Sequence, residues 1–124
     1  MTLNTLFAAL VCLSPLTVGA GSNWPQWRGP EFNGAAPSVT GLPITFSKNE
    51  ATWATPLPGH AGSSPIVWGD RIFLTTFHDG QLETRCHDRS DGRLRWSRKV
   101  KPDGIEEHHR ADGSPAASTP VPTR

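Results

Sequence analysis

Surplus charge is the first thing this sequence lacks. Twelve Lys and Arg stand against eleven Asp and Glu, a formal net charge of +1 over 124 residues. Such balance gives no reason to expect a nucleic-acid footprint or an acidic partner. Charged residues are 19% and hydrophobic ones 35%, both low, which excludes a coiled coil, a helical bundle and a polytopic membrane protein. No helical period persists over a useful window. No apolar run reaches the roughly 20 residues that cross a bilayer. Cysteine is scarce too, with only Cys12 and Cys86. What the chain does have is 12 Gly, 12 Pro, five Trp and five Phe. Disordered chains are poor in aromatics, so this composition points to one loop-rich, mostly β domain.

No charged side chain precedes Arg28. The run LFAALVCL at 6–13 has the length of a secretory h-region, and Val18, Gly19 and Ala20 supply small residues for a cut after Ala20. Residues 1–5 carry no Lys or Arg, so the α-amino group is the only positive charge there. Residues 1–20 are therefore expected to be a signal peptide. The mature chain would be secreted or periplasmic, with no transmembrane segment after signal removal. Cys12 does not make a lipoprotein box, because Leu10 and Val11 precede it and more apolar sequence follows. The mature part then holds Cys86 alone, which excludes an internal disulfide.

Turn signals punctuate the rest. Asp-Gly occurs at 79–80, 91–92, 103–104 and 112–113, with Gly69-Asp70 as a reversed version. Asp-Gly suits tight hairpins, whose central residues need positive φ. Between the turns lie short alternating runs, and the pattern predicts strands over 64–68, 71–77, 81–87 and 93–100. In the third, Leu82, Thr84 and Cys86 share a dry face, and Gln81, Glu83, Arg85 and His87 share a wet one. In the fourth, Leu94, Trp96 and Val100 point one way, and Arg93, Arg95, Ser97 and Lys99 the other. Residues 52–57 (TWATPL) are expected to form a fifth strand. Residues 21–50 read as an extended arm whose aromatics, Trp24, Trp27, Phe32 and Phe46, dock elsewhere. Residues 101–117 read as a polar connection, and 118–121 open a further strand.

Internal similarity gives this pattern its architecture. Ser63-Ser64-Pro65-Ile66-Val67 and Ser118-Thr119-Pro120-Val121 are similar openings 55 residues apart, and Trp53 and Trp96 are 43 apart. A period of 40–50 residues with about four strands per unit is that of a β-propeller. The run 86–96 (CHDRSDGRLRW) resembles the tryptophan-docking repeat of pyrroloquinoline-quinone-like (PQQ-like) β-propellers. That repeat has a small residue, Asp, Gly and Trp where this chain has Cys86, Asp88, Gly92 and Trp96. Asp91 stands where the repeat has Thr, which removes one hydroxyl. The opening Ser64-Pro65-Ile66-Val67 with Gly69-Asp70-Arg71-Ile72-Phe73 is similar to the family's first two strands. The stretch Trp24-Pro25-Gln26-Trp27-Arg28-Gly29-Pro30 resembles the N-terminal arm of a secreted bacterial subgroup. The resemblance covers about 23–124.

This reading implies an all-β fold, with an arm over 21–50 and part of a PQQ-like propeller over 51–124. One complete four-stranded antiparallel blade would occupy about 63–100, and a second would begin near 118. Since a propeller needs about 4–8 blades to close, the 124 residues are expected to be an N-terminal fragment. Residues 52–57 would then be the outer strand of the last blade. Residue chemistry explains the motif: Gly92 permits positive φ, Asp88 accepts turn N–H groups, and Trp96 offers a broad face for a neighbouring sheet.

Catalytic groups are not evident. His60, His78, His87, His108 and His109 lack the i, i+4 spacing of a helical metal site, and no helix is expected to carry one. Glu106 and Glu107, beside the last two, fit a solvated turn. Cys86 fits a small core residue rather than a nucleophile. Gly-rich phosphate loops and Ser-His-Asp motifs are absent. Arg93, Arg95 and Arg98 alternate with Leu94 and Trp96; they read as the wet face of an edge strand, with a basic stripe for anions as the alternative. The expectation is a non-catalytic scaffold or protein-interaction module without cofactor, contacting protein partners or the remaining blades of its own propeller. The alternative is part of a quinoprotein dehydrogenase oxidising alcohols or sugars, which the resemblance would supply with PQQ and calcium. The axial Asp, the calcium carboxylates and the vicinal disulfide of those enzymes have no placed counterpart in this sequence. A third reading is a carbohydrate-binding module using Trp24, Trp27 and Trp68.

Overall fold

A computed structural model describes residues 23–36, 41, 43–105 and 113–122. The expected signal peptide at 1–20, with Cys12, and also Glu106, Glu107, His108 and His109 lie outside the described residues. The chain forms one four-stranded antiparallel sheet in the order β1 (Ile66–Trp68), β2 (Arg71–His78), β3 (Gln81–Asp88), β4 (Leu94–Val100). This is the predicted meander, with boundaries moved by one or two residues. β-Branched and aromatic residues favour the pleated backbone of β2. Asp79 and Gly80 both take positive φ, 50° and 71°, so the β2–β3 link is a two-residue hairpin of the kind Asp-Gly favours. Besides the sheet, the regular structure described is a short 3-10 turn, Lys48–Glu50, where the Glu50 carboxylate accepts from the Ser47 N–H at 2.6 Å.

Residues paired across strands share a face. One face carries Ile66, Phe73, Thr75, Leu82, Thr84, Cys86 and Trp96; the other carries Ile72, Leu74, Thr76, Glu83, Arg85 and His87. The expectation of a dry face and a wet face fails here. Glu83, Thr76 and His87 are as buried as Ile66 and Cys86. Parts of the chain cover both sides. Residues 53–60 run from the β3–β4 turn, where Trp53 and Thr55 bond, to the end of β2, where His60 bridges Phe77. Opposite them, Ala116 and Ser118 receive the Thr75 hydroxyl through their carbonyls at 2.9 and 3.0 Å.

β4 departs from simple alternation. Trp96 pairs with Cys86 and Leu94 with His87, so Arg95 is an extra residue at a β-bulge. The bulge turns Leu94 to the face opposite Trp96, against the expectation that the two share a side. Residues 52–57 and 118–121, expected as strands, join no ladder among the described residues. The first is nonetheless extended in habit, with Trp53 and Thr55 sheltered and Thr52, Ala54 and Pro56 exposed. In the arm, only Trp24 docks as expected. It exchanges two backbone hydrogen bonds with Val67, at 2.8 and 2.9 Å, and its ring lies over Gly29. Trp27, Phe32 and Phe46 are mostly exposed. The Arg28 guanidinium sits 5.4 Å above the Trp27 ring.

Candidate functional site

The motif residues come together at one end of the sheet. Asp88 closes β3, and its N–H donates to Arg93 O at 2.8 Å, while the Gly92 N–H donates to Asp88 O at 2.9 Å. The Asp88 carboxylate accepts from the Ser90 N–H at 2.9 Å and the Ser90 hydroxyl at 2.6 Å. These bonds close the β3–β4 turn. Asp91, in the position expected for Thr, accepts the Arg93 N–H at 2.9 Å. The bulged Arg95 then ties this turn to the β1–β2 turn, donating to Asp88 at 3.0 Å and to Asp70 at 2.7 Å. Hydrogen bonds from Ser90 and Arg95 hold the Asp88 carboxyl far below the usual carboxylate range. The Arg95 hydrogen bond likewise lowers Asp70.

Gly92 has a φ of 72°, in the left-handed region. A Cβ at this position would lie 2.6 Å from Thr55 Oγ1 and closer still to the Trp53 ring. The bare backbone of Gly92 is therefore the seat of an indole. Trp53 Nε1 donates to Arg89 O at 3.0 Å, and the Thr55 hydroxyl donates to Gly92 O at 2.9 Å. Gly92 O also receives the His87 Nδ1–H at 2.8 Å, which leaves His87 Nε2 to accept from Arg85 Nε at 3.4 Å. Arg85 in turn pairs with Glu83 at 2.9 Å in an almost wholly buried row. Burial opposes ionisation of Glu83, but Ser97, Arg85 and Lys99 outweigh it and keep the carboxyl below its ordinary value. Sequence reasoning gave Trp53 a place in a strand and missed its docking on this turn. The signal available was the 43-residue spacing to Trp96.

Trp96 has a different setting. It is 39% exposed and lies across Cys86 from Phe73, with ring centroids 6.0 Å apart and planes inclined by 55°. Cys86, completely buried, is small enough to let two large rings on flanking strands lean together over it. Burial pushes its thiol pKa up, which suits packing and not nucleophilic chemistry. Trp96 borders a groove of about 450 Å³ shared with Trp68, Phe73, Pro120 and Val121. The two indoles 43 residues apart thus play unequal parts: Trp53 is seated on a glycine turn, and Trp96 presents its ring to a groove.

No family model, curated protein or solved structure matches this chain.

The described Asp70, Asp88 and Glu83 carboxylates are engaged by Arg95 and Arg85. Among the described residues, no three His, Cys, Asp or Glu side chains converge on a common point. His78 pairs with Asp79 at 3.2 Å, His87 is committed to Gly92 and Arg85, and His60 bridges Phe77 through its backbone. Of the three tryptophans considered for carbohydrate, Trp24 is spent on holding the arm to β1.

Proposed function

We propose that this chain is one sheet of an exported, PQQ-like repeat β-propeller of bacterial type, acting in the periplasm or outside the cell as a non-catalytic scaffold or protein-interaction module. The observation that carries the reading is the seat of Trp53. An indole from an extended segment outside the four-stranded sheet caps that sheet's glycine turn. It stacks on Gly92 and donates to the carbonyl three residues earlier in the chain. Trp96 lies 43 residues later, in the sheet itself. In a repeating array it would cap the glycine turn of the following sheet, as Trp53 caps this one.

The physical logic is that of a solenoid closed on itself. One sheet has two faces to cover, and each neighbour supplies an aromatic clamp to the next. The alternating exposure of 52–57 supports its role as a strand of the preceding sheet. The placement of 116–122 against the Trp96 face supports it as the entry to the following one.

A photo-crosslinking amino acid at position 96, in the protein made in its own host and compartment, tests this. The expected adduct joins position 96 to a glycine turn of the same repeat type. An adduct to an unrelated fold, or none, contradicts the reading. Adding PQQ and calcium to the same preparation separates the quinoprotein alternative. Quinone absorbance together with alcohol-dependent dye reduction would overturn the non-catalytic assignment.

A further inference from the structure

The two edges of the sheet are treated differently by the chain. Along the β1 side every stretch is closed. Trp24 exchanges two backbone hydrogen bonds with Val67. Farther along, His60 exchanges two with Phe77, at 3.0 and 2.8 Å. Between them the Ser63 hydroxyl accepts the Thr75 N–H at 2.9 Å. The β4 edge is open. Among the described residues, the one hydrogen bond reaching the backbone of Leu94–Val100 from outside the β3 ladder is the Arg98 guanidinium on Ser97 O. Six of its seven residues are exposed.

This open strand is also where the chain concentrates positive charge. Arg93, Arg95, Arg98, Lys99 and Lys101 lie on or beside β4. Arg95 is held by Asp70 and Asp88, and Arg93 lies 3.8 Å from Asp91. Arg98 and Lys101 have no carboxylate within ion-pair distance among the described residues, and Lys99, opposite Glu83 in the ladder, shares that carboxylate with Arg85. A net charge of +1 conceals this local excess.

We propose that the β4 edge takes an acidic, extended peptide segment of another protein as a fifth strand. Main-chain hydrogen bonds would hold the strand, and the cations of β4, above all Arg98 and Lys101, would supply the selectivity. A second copy of this chain is a poor occupant, because two β4 edges brought together set cations against cations. The alternation of β4 also defines the partner. Trp96, Arg98 and Val100 share one face and Ser97 and Lys99 the other. An antiparallel partner therefore needs apolar residues opposite Trp96 and Val100 and carboxylates opposite Arg98, Lys99 and Lys101. This goes beyond the scaffold reading and does not depend on it, since the edge is open whether or not other sheets flank the faces.

The test uses the full chain and a synthetic peptide of sequence Glu-Val-Glu-Glu-Thr-Val, extended by Thr at both ends, beside a twin with every Glu replaced by Lys. Binding is followed by titration calorimetry at two salt concentrations and by amide hydrogen exchange. The expected results are an affinity for the acidic peptide at least about tenfold above its twin, and weakening with salt. New amide protection should be confined to 94–100. Arg98→Glu with Lys101→Glu, both at exposed positions, should abolish or reverse the preference. Equal affinities, no binding, protection elsewhere, or self-association at this edge would each overturn the proposal.

Discussion

Replacing Gly92 by Ala tests the seat of the indole most sharply. The added methyl meets two obstacles at once. At a φ of 72° an L-residue costs roughly 1–2 kcal/mol in backbone sterics. The Cβ also enters the space of the Trp53 ring and Thr55 Oγ1, so the ring must move. Displacing a half-buried indole returns on the order of 100 Å² of apolar surface to water, about 2–3 kcal/mol. Losing the Trp53 Nε1 bond to Arg89 O adds about 1 kcal/mol. Gly92→Ala should therefore destabilise the chain by about 4–6 kcal/mol, a large part of the stability of a small domain. Urea unfolding followed by circular dichroism reads this. The decisive comparison is made in a Trp53→Ala background, where the steric conflict with the ring is gone. There Gly92→Ala should cost about 1–2 kcal/mol for the backbone plus the displacement of the Thr55 hydroxyl, which is common to both backgrounds, so the two changes should couple by about 3–4 kcal/mol. Equal costs in the two backgrounds would refute the claim that Gly92 is glycine to receive the ring.

Other consequences follow from the same geometry. Folding lowers the pKa values of Asp70 and Asp88 from an ordinary 3.8, so the unfolded chain takes up protons first. Their stabilisation should be complete above the unfolded-state pKa and drain away as pH falls through 3.8 toward the lower folded values. Asp88→Asn should flatten that acid limb in urea midpoints recorded against pH. In the buried row, Glu83→Leu should cost about 3–5 kcal/mol by stranding Arg85. The double change Glu83→Leu with Arg85→Leu should recover much of the loss, and unfolding of the three proteins checks it. The Cys86 thiol should react with a maleimide no faster than the chain unfolds, as measured by mass spectrometry of the peptide that contains it. N-terminal sequencing of the protein produced in its own host should begin at Gly21, and a chain retaining Leu6 would contradict the signal-peptide reading.

The strands were legible because each is local. The 71–77 and 81–87 runs alternate cleanly, and Asp79-Gly80 marks the hairpin between them. The turn at 88–93 was legible for the same reason, since its hydrogen bonds close within six residues of chain. Contacts between distant segments were not. Glu83 and His87 read as wet because their side chains are polar. They are buried because 53–60 crosses that face, and Arg85, Ser97 and the Gly92 carbonyl satisfy their polar atoms. Arg95 read as one more alternating cation. At its bulge the guanidinium meets both Asp70 and Asp88, 18 residues apart in sequence. The arm's tryptophans are alike in type, and only the backbone pairing of Trp24 with Val67 separates the docked ring from the exposed ones.

The central claim concerns what lies against Trp96. It is tested most directly by an experimental structure of the protein isolated from its native compartment. The account expects a following sheet whose glycine turn lies under the Trp96 ring, with Trp96 Nε1 donating to the carbonyl three residues before that glycine. A Trp96 ring facing solvent, or one packed into a fold without repeating sheets, would contradict it.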